Sequence, residues 1–224
     1  MPDLGSSTWP EAAAAGRPLL VVPLGSTEQH GPHLPFDTDT RIATAVADGL
    51  AHRRPDVTVA PALAYGSSGE HAGFLGTLSI GRAATELVLV ELVRSADAYA
   101  GVVLVSAHGG NAEPVARAVA RLTSDGRRVL PWSATVAGGD AHAGRTETSL
   151  LLAIAPGLVR RDRAAAGTTE PLAELLPTLR AEGVRPVSPN GVLGDPAGAN
   201  AEEGRVALER LIDDLDAAIE SWVP

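Results

Sequence analysis

The chain has 224 residues, of which 45% are apolar, and its formal net charge is -9. This length and composition favour one domain with one sizeable core. The acidic balance argues against nucleic acid or an anionic membrane as the main partner, because both bind basic surfaces. Cysteine is absent. A metal site must therefore use His, Asp and Glu, since thiolate ligands are excluded.

We expect neither a signal peptide in residues 1–16 nor a membrane span. Residues 1–16 lack a basic stretch followed by an apolar one, and no uncharged apolar run reaches roughly 18 residues. We expect a soluble cytoplasmic protein. Residues 1–16 are predicted to form an N-terminal arm, and residues 17–224 a single catalytic domain.

Strand and helix patterns alternate along the chain. Continuous apolar runs predict buried strands at residues 18–25, 57–66, 101–111 and 127–136. Apolar residues at helical spacing predict helices at residues 37–53, 82–100, 113–126, 146–156 and 200–223. Much of the segment 156–200 is rich in Pro and Gly and is expected to be irregular.

This alternation predicts an α/β fold, a three-layer α/β/α sandwich with a mainly parallel central sheet. In such sheets, functional sites form beyond the carboxyl ends of strands. The two most polar loops, residues 26–39 and 106–111, both follow predicted strands. We expect these loops to lie side by side.

The first of these loops has the composition of a metal site. Its sequence is GSTEQHGPHLPFDTD, residues 25–39, and it holds no Lys or Arg. Pro32 and Pro35 restrict the backbone and lower the entropy cost of holding one shape. Carboxylate and imidazole groups together suit divalent zinc, iron or manganese. The groups in question are Glu28, His30, His33, Asp37 and Asp39.

Each polar residue also has a simpler interpretation. Asp39 could cap the following helix, and Glu147 could favour the positive end of its own helix. His108 lies in an ordinary strand-to-helix turn, and His142 could be a loop histidine without a role. Three separate polar clusters on one small domain favour a shared site over these independent explanations.

Several longer motifs make the chain resemble the creatininase family of dinuclear metal amidohydrolases. The resemblance extends from about residue 18 to the last helix. It implies a hydrolase with two divalent cations and a homo-oligomer. His and carboxylate donors accept zinc, iron and manganese, and we expect Fe²⁺ and Zn²⁺, with Mn²⁺ as an alternative. The motifs are GSTEQHGPHLP, DTDTRIA, SSGEHAGFLGT, HGGN and DAHAGRTETS.

The resemblance also implies roles for individual residues. Glu28 and His108 would bind one cation, and His30 and Glu147 the other, with Asp39 bridging both. His142 would be the catalytic histidine that carries a proton to the leaving amine, since imidazole titrates in the useful range.

Independently of the resemblance, four further residues are predicted to bind substrate: Glu70, His71, Asn111 and Arg145. Ordinary loop polarity explains Glu70 and His71 equally well. Arg145 could meet a substrate carboxylate by a forked contact, or it could be a surface arginine.

Two positions depart from creatininase itself. Gly110 stands where creatininase has a metal-binding Glu, which leaves Glu147 as the substitute ligand. Gly138 stands where creatininase has a Trp that covers the creatinine ring. The second change argues against creatinine as substrate and favours a more open cleft.

A closer resemblance, to a peptidase branch of the family, implies a peptide substrate. That branch removes a C-terminal Val-Tyr dipeptide from a decarboxylated, ribosomally made precursor of a redox cofactor. The expected partners are this peptide and other proteins of the same biosynthetic system, with no nucleic acid and no membrane. Two alternatives remain open, a small-molecule amidohydrolase acting on a formamide or lactam, and a non-catalytic metal-binding scaffold.

Overall fold

The computed structural model describes residues 3–222. The end of the last predicted helix, at residue 223, lies outside them. The strands are β1 (Leu19–Leu24), β2 (Val57–Val59), β3 (Gly101–Ser106) and β4 (Val129–Ser133). The helices are α1 (Trp9–Ala14), α2 (Thr38–Arg53), α3 (Gly81–Arg94), α4 (Ala112–Ser124), α5 (Arg145–Ile154), α6 (Leu172–Glu182), α7 (Val184–Val187) and α8 (Ala201–Trp222).

The four strands form one parallel sheet in the order β2-β1-β3-β4. The central pair, β1 and β3, is in register from Leu19 opposite Gly101 to Leu24 opposite Ser106. Every residue of these two strands is buried. Burial on both faces explains why they appear in the sequence as unbroken apolar runs.

Alternate residues of the central strands pack into two different cores. Leu19, Val21 and Val103 contact the first core, which also contains side chains from α2, α5 and α8. Leu20 and Val22 contact the second, which contains side chains from α3 and α4. Helices therefore cover both faces of the sheet, and the predicted three-layer α/β/α architecture is confirmed.

The structure differs from the predicted elements at β2, at the end of α3, which stops at Arg94 and not at residue 100, and over α6 and α7. β2 ends at Val59, two residues before Pro61, because proline cannot donate a ladder hydrogen bond. The expectation of irregular chain is wrong over α6, which holds Pro177 in its interior. Interior proline normally disfavours a helix, so tertiary packing of Leu179 in a small satellite core is needed to stabilise it.

Within the predicted arm, the short helix α1 begins after Thr8, whose backbone N–H and hydroxyl both donate to Glu11. The arm is attached to the sheet edge through Leu4, whose N–H donates to the Val59 carbonyl at 2.9 Å. No helix within residues 3–222 is long and apolar enough to cross a bilayer.

Candidate metal centre

The two polar loops start next to each other, as expected, because Leu24 and Ser106 are paired at the carboxyl edge of the sheet. The loop after β1 turns Glu28 and His30 inward, and the turn after β3 does the same for His108. The first turn of α2 contributes Asp39. All four side chains are buried.

Asp39 lies at the centre of this cluster. Its Oδ1 is 3.0 Å from His30 Nε2, and its Oδ2 is 3.4 Å from His108 Nδ1. Two ligand trios with all donor atoms within 4.8 Å share this carboxylate, Glu28–Asp39–His108 and His30–Asp39–Glu147. Two cations could therefore be held side by side, each with carboxylate and imidazole donors.

The Glu28 carboxylate gives the strongest sign that cations belong here. Both of its oxygens are fully buried and lack a hydrogen-bond partner within residues 3–222. Imidazole nitrogens lie close to these oxygens, with His108 Nε2 at 3.2 Å and His71 Nε2 at 3.4 Å. A buried carboxylate without a hydrogen bond is costly, and a bound cation would supply the missing interaction. The His30 ring is also suitably arranged, because Nδ1–H donates to the Glu28 carbonyl and leaves Nε2 for a metal. The residues present thus fit a pair of divalent cations.

The electrostatics of the metal-free cluster are those of crowded acids and imidazoles. Burial alone would lower the pKa of His30, but Asp39 and Glu147 raise it to about 10. The pKa of His108 is likewise about 10, because Glu28 and Asp39 outweigh burial. Burial raises the pKa of Glu147 to about 7. His30 and His108 are therefore protonated at neutral pH, and cations would compete with these protons for the ring nitrogens.

His142 and His71 lie on the same side of the cluster. The His142 ring centroid is 4.3 Å from that of His30 and 4.5 Å from that of His71. Burial, followed by the neighbouring His30 and His71, lowers the pKa of His142 well below its usual value. His142 is thus a neutral imidazole next to the candidate ligands.

A strained residue connects His142 to Glu147. Ala143 has φ of +52°, and its N–H donates to Glu147 Oε2 at 2.6 Å. Non-glycine residues in this region are uncommon and persist only where the surroundings over-determine them. Asp140 helps to hold this backbone conformation, because its carboxylate accepts hydrogen bonds from the N–H groups of Arg145 and Thr146 at the start of α5.

Glu70 occupies the space left by the absent side chain at Gly110. A Cβ built on Gly110 would overlap the Ser67 carbonyl and Glu70 Oε1. Glu70 Oε1 lies 3.6 Å from His108 Nε2, and the Ser67 carbonyl lies 2.9 Å from the same atom. Glycine at 110 therefore lets the turn of residues 67–70 close over His108.

The two other residues predicted to bind substrate lie further out. Asn111 is buried, and its amide accepts from the Ser67 N–H and donates to the Gly25 carbonyl. It therefore holds loops together. Arg145 lies at the cleft, where its guanidinium forks onto Glu203 at 2.9 Å.

Two polar residues of the first loop lie outside the cluster. His33 faces α5, with Nε2 2.9 Å from Thr148 Oγ1, and Asp37 pairs with Arg41 on the surface. Sequence reasoning missed Ser26, whose hydroxyl donates to Asp39 Oδ2 at 2.6 Å. It also missed Gln29, whose position between Glu28 and His30 was the available signal.

A cleft of about 850 Å³ opens above the cluster. Asp39, His108, His142 and Glu147 line its floor, and Gly138 lies in its wall. No described heavy atom lies within 4 Å of a Cβ built on Gly138. The cleft is therefore open at the position where the sequence predicted missing aromatic cover.

Comparison with known proteins identifies the family of this chain. The family model described as "Creatininase: Creatinine amidohydrolase" matches residues 5–219. The chain belongs to the creatininase family. It is 51% identical to the "Mycofactocin precursor peptide peptidase" of Mycobacterium ulcerans (strain Agy99), over 99% of this chain and 92% of that protein.

Solved creatininase structures have the same fold. A manganese creatininase is similar with a TM-score of 0.81 and 28% identity, over 99% of both chains. A Zn–Zn creatininase mutant is similar with a TM-score of 0.83 and 26% identity, over 99% of this chain and 98% of that one. The family consists of metal-dependent amidohydrolases, so this chain is a hydrolase with a candidate site for divalent cations.

Proposed function

We propose that this chain is a metal-dependent peptidase that acts on the mycofactocin precursor peptide after its decarboxylation and releases the C-terminal Val-Tyr dipeptide. The observation that carries the proposal is the buried Glu28 carboxylate, which accepts no hydrogen bond within residues 3–222. It belongs to a His/Asp/Glu cluster of which Asp39, His108 and Glu147 line the open cleft. The peptidase that is 51% identical over nearly the whole chain supports the peptide substrate.

Five side chains would hold the two cations. Glu28, Asp39 and His108 would surround the first, and His30, Asp39 and Glu147 the second, in accord with the two trios that share Asp39. When bound, the cations supply a deprotonated water at neutral pH and oppose the negative charge that develops on the amide oxygen. We propose Fe²⁺ and Zn²⁺, with Mn²⁺ as the alternative, since nitrogen and oxygen donors suit all three.

His142 would carry the proton that amide cleavage requires. It lines the cleft, and its Nδ1 lies 3.8 Å from Glu28 Oε1, facing the cluster. A neutral imidazole there can take a proton as the amide is attacked and return it to the leaving amine. We also propose Glu70 and His71 as substrate-binding residues, although neither is among the residues that line the cleft.

The open wall at Gly138 leaves room for a peptide tail. The cavity volume falls within the roughly 300–1,000 Å³ of small-molecule sites, which is enough for a dipeptide and its scissile bond. Arg145 at the cleft is the first choice to meet the terminal carboxylate, with Glu203 holding its guanidinium in place. Asn111 would act on the substrate through the loops that it connects.

We also propose a homo-oligomer and contact with other mycofactocin biosynthetic proteins. Leu87 and Val88 leave one side of α3 exposed, whereas Leu89, Val90 and Val93 pack into the core. We propose this exposed side of α3 as the subunit contact. Light scattering on a size-exclusion column measures the subunit number, and a monomer at all concentrations would reject the oligomer.

The direct test is incubation of the purified, metal-loaded protein with the decarboxylated precursor peptide, followed by mass spectrometry. We expect one product that has lost the mass of Val-Tyr, and none with chelator-treated protein. Stepwise loss of single residues would reject dipeptide release. Turnover of formamides or lactams without peptide cleavage would support the small-molecule alternative instead.

A further inference from the structure

The side chain of Gln29 is buried between Glu28 and His30 and connects distant parts of the chain. Its Oε1 accepts the Gly31 N–H at 2.8 Å, and its Nε2 donates to the Gly191 carbonyl at 3.0 Å. A backbone N–H can only donate and a carbonyl can only accept, so these two bonds fix which end of the amide is oxygen. A Cβ on Gly191 would overlap this oxygen, and glycine there, with φ of +84°, leaves the space.

The second amide hydrogen of Gln29 determines which ring nitrogen of His71 carries the proton. Gln29 Nε2 is 2.9 Å from His71 Nδ1. Since one N–H is used by Gly191, the other points to Nδ1, which must accept. Because its Nδ1 accepts a hydrogen bond, the His71 ring is neutral and carries its proton on Nε2. This Nε2 lies 3.4 Å from Glu28 Oε1.

The backbone carbonyl of Gln29 determines which ring nitrogen of His142 carries the proton. His142 Nε2 lies 2.8 Å from the Gln29 carbonyl, so Nε2 carries the ring proton and donates it. Gln29 Nε2 also lies 3.1 Å from His142 Nε2. Because both nitrogens are donors, this contact is not a hydrogen bond. In the neutral form of the ring the lone pair then lies on Nδ1, which faces Glu28 Oε1 at 3.8 Å.

We propose that Gln29 is a positioning residue that sets both ring tautomers, His71 through its side chain and His142 through its carbonyl. The His71 Nε2–H is thereby aimed at the Glu28 carboxylate, and the basic nitrogen of His142 is turned toward the cluster. The use of this basic nitrogen rests on the proposed function, whereas the tautomer assignment does not depend on it.

The test is nitrogen-15 NMR of the histidine side chains in the metal-free and the zinc-loaded protein. The neutral tautomers have different nitrogen shifts, and His71→Gln and His142→Gln assign the two rings. In the unsubstituted protein we expect both rings to be protonated on Nε2 and not on Nδ1. A protonated Nδ1 on either neutral ring would overturn the proposal.

Gln29→Glu gives the sharper result, because it keeps the acceptor for Gly31 and removes the donor for His71. We expect His71 Nδ1 to become protonated while His142, held by the backbone carbonyl, keeps its tautomer. Peptide kcat/KM should fall about 10–100-fold, the usual cost of losing a group that orients a metal-site residue. An unchanged His71 nitrogen spectrum in Gln29→Glu would overturn the side-chain assignment.

Gln29→Met serves as the second variant, since it fills a similar volume without donor or acceptor. It should leave His71 as a mixture of tautomers and leave His142 unchanged, and a single Nε2–H form of His71 would again overturn the assignment. The NMR readout needs no substrate. Failure of the proposed peptidase activity would therefore leave this test intact.

Discussion

The two sides of the cleft are built in different ways. The metal side is closed and cross-bonded, and Glu28, His30 and Asp39 are each at most 1% exposed. The opposite wall is open, with the side chains of Arg145 and Glu203 51% and 40% exposed. Metal ligation needs fixed geometry, whereas a cleft for a peptide tail needs access. We therefore expect the chemistry to take place on the buried side and the substrate to be selected on the open side.

Removal of the Asp39 carboxylate should have the largest effect on metal binding and activity. Asp39→Ala takes one ligand from each proposed cation, so we expect elemental analysis to find less than one ion per chain and peptide cleavage to disappear. Asp37→Ala is the matched control, because Asp37 pairs with Arg41 outside the cluster. About two ions per chain in Asp39→Ala would disprove the bridging assignment.

Removing the proton carrier should separate chemistry from metal binding. His142→Ala is expected to lower kcat about a hundred- to ten-thousand-fold, the usual contribution of an acid–base residue. Metal content, measured on the same samples, should stay near that of the unsubstituted protein. Full activity at neutral pH would end the proposed role, and joint loss of metal and activity would make His142 a ligand.

Proton competition gives the buried side a defined pH dependence. His30 and His108 have pKa values of about 10 without metal, so both are protonated at neutral pH, and cations must displace these protons. Release of two protons raises the overall affinity about a hundredfold per pH unit between pH 7.5 and 8.5. Mn²⁺ titration against a competing chelator measures this slope. An affinity independent of pH would contradict the proposed ligands.

The open side is expected to give the smallest effect. Arg145→Ala should slow cleavage of the peptide with a free C-terminus about tenfold, the order expected from one charge-assisted hydrogen bond in an exposed position. It should leave cleavage of a C-terminally amidated peptide unchanged. Glu203→Gln is the control variant. It removes the carboxylate that pairs with the Arg145 guanidinium and keeps the charge of Arg145. Equal cleavage of free and amidated peptides by the unsubstituted protein would reject recognition of the carboxylate.

The sequence predicts the candidate metal ligands better than the long-range contacts that hold them in place. Glu28, His30 and His108 follow apolar runs recognisable as parallel strands, and such strands bring their carboxyl ends to one edge. Gln29 could not be predicted to contact Gly191, which is 162 positions away. Helix α6 was missed because Pro177 is a helix-breaking signal that only tertiary packing overrides.

The most direct test of the central claim is a crystal structure of the metal-loaded protein with anomalous data at the iron, zinc and manganese edges. Two peaks about 3.5–4 Å apart, the usual spacing of two-metal sites, should flank the Asp39 carboxylate. One should lie near Glu28 and His108, and the other near His30 and Glu147. A single peak, or a second ion held by Glu70 and His71 without contact to Asp39, would contradict the account.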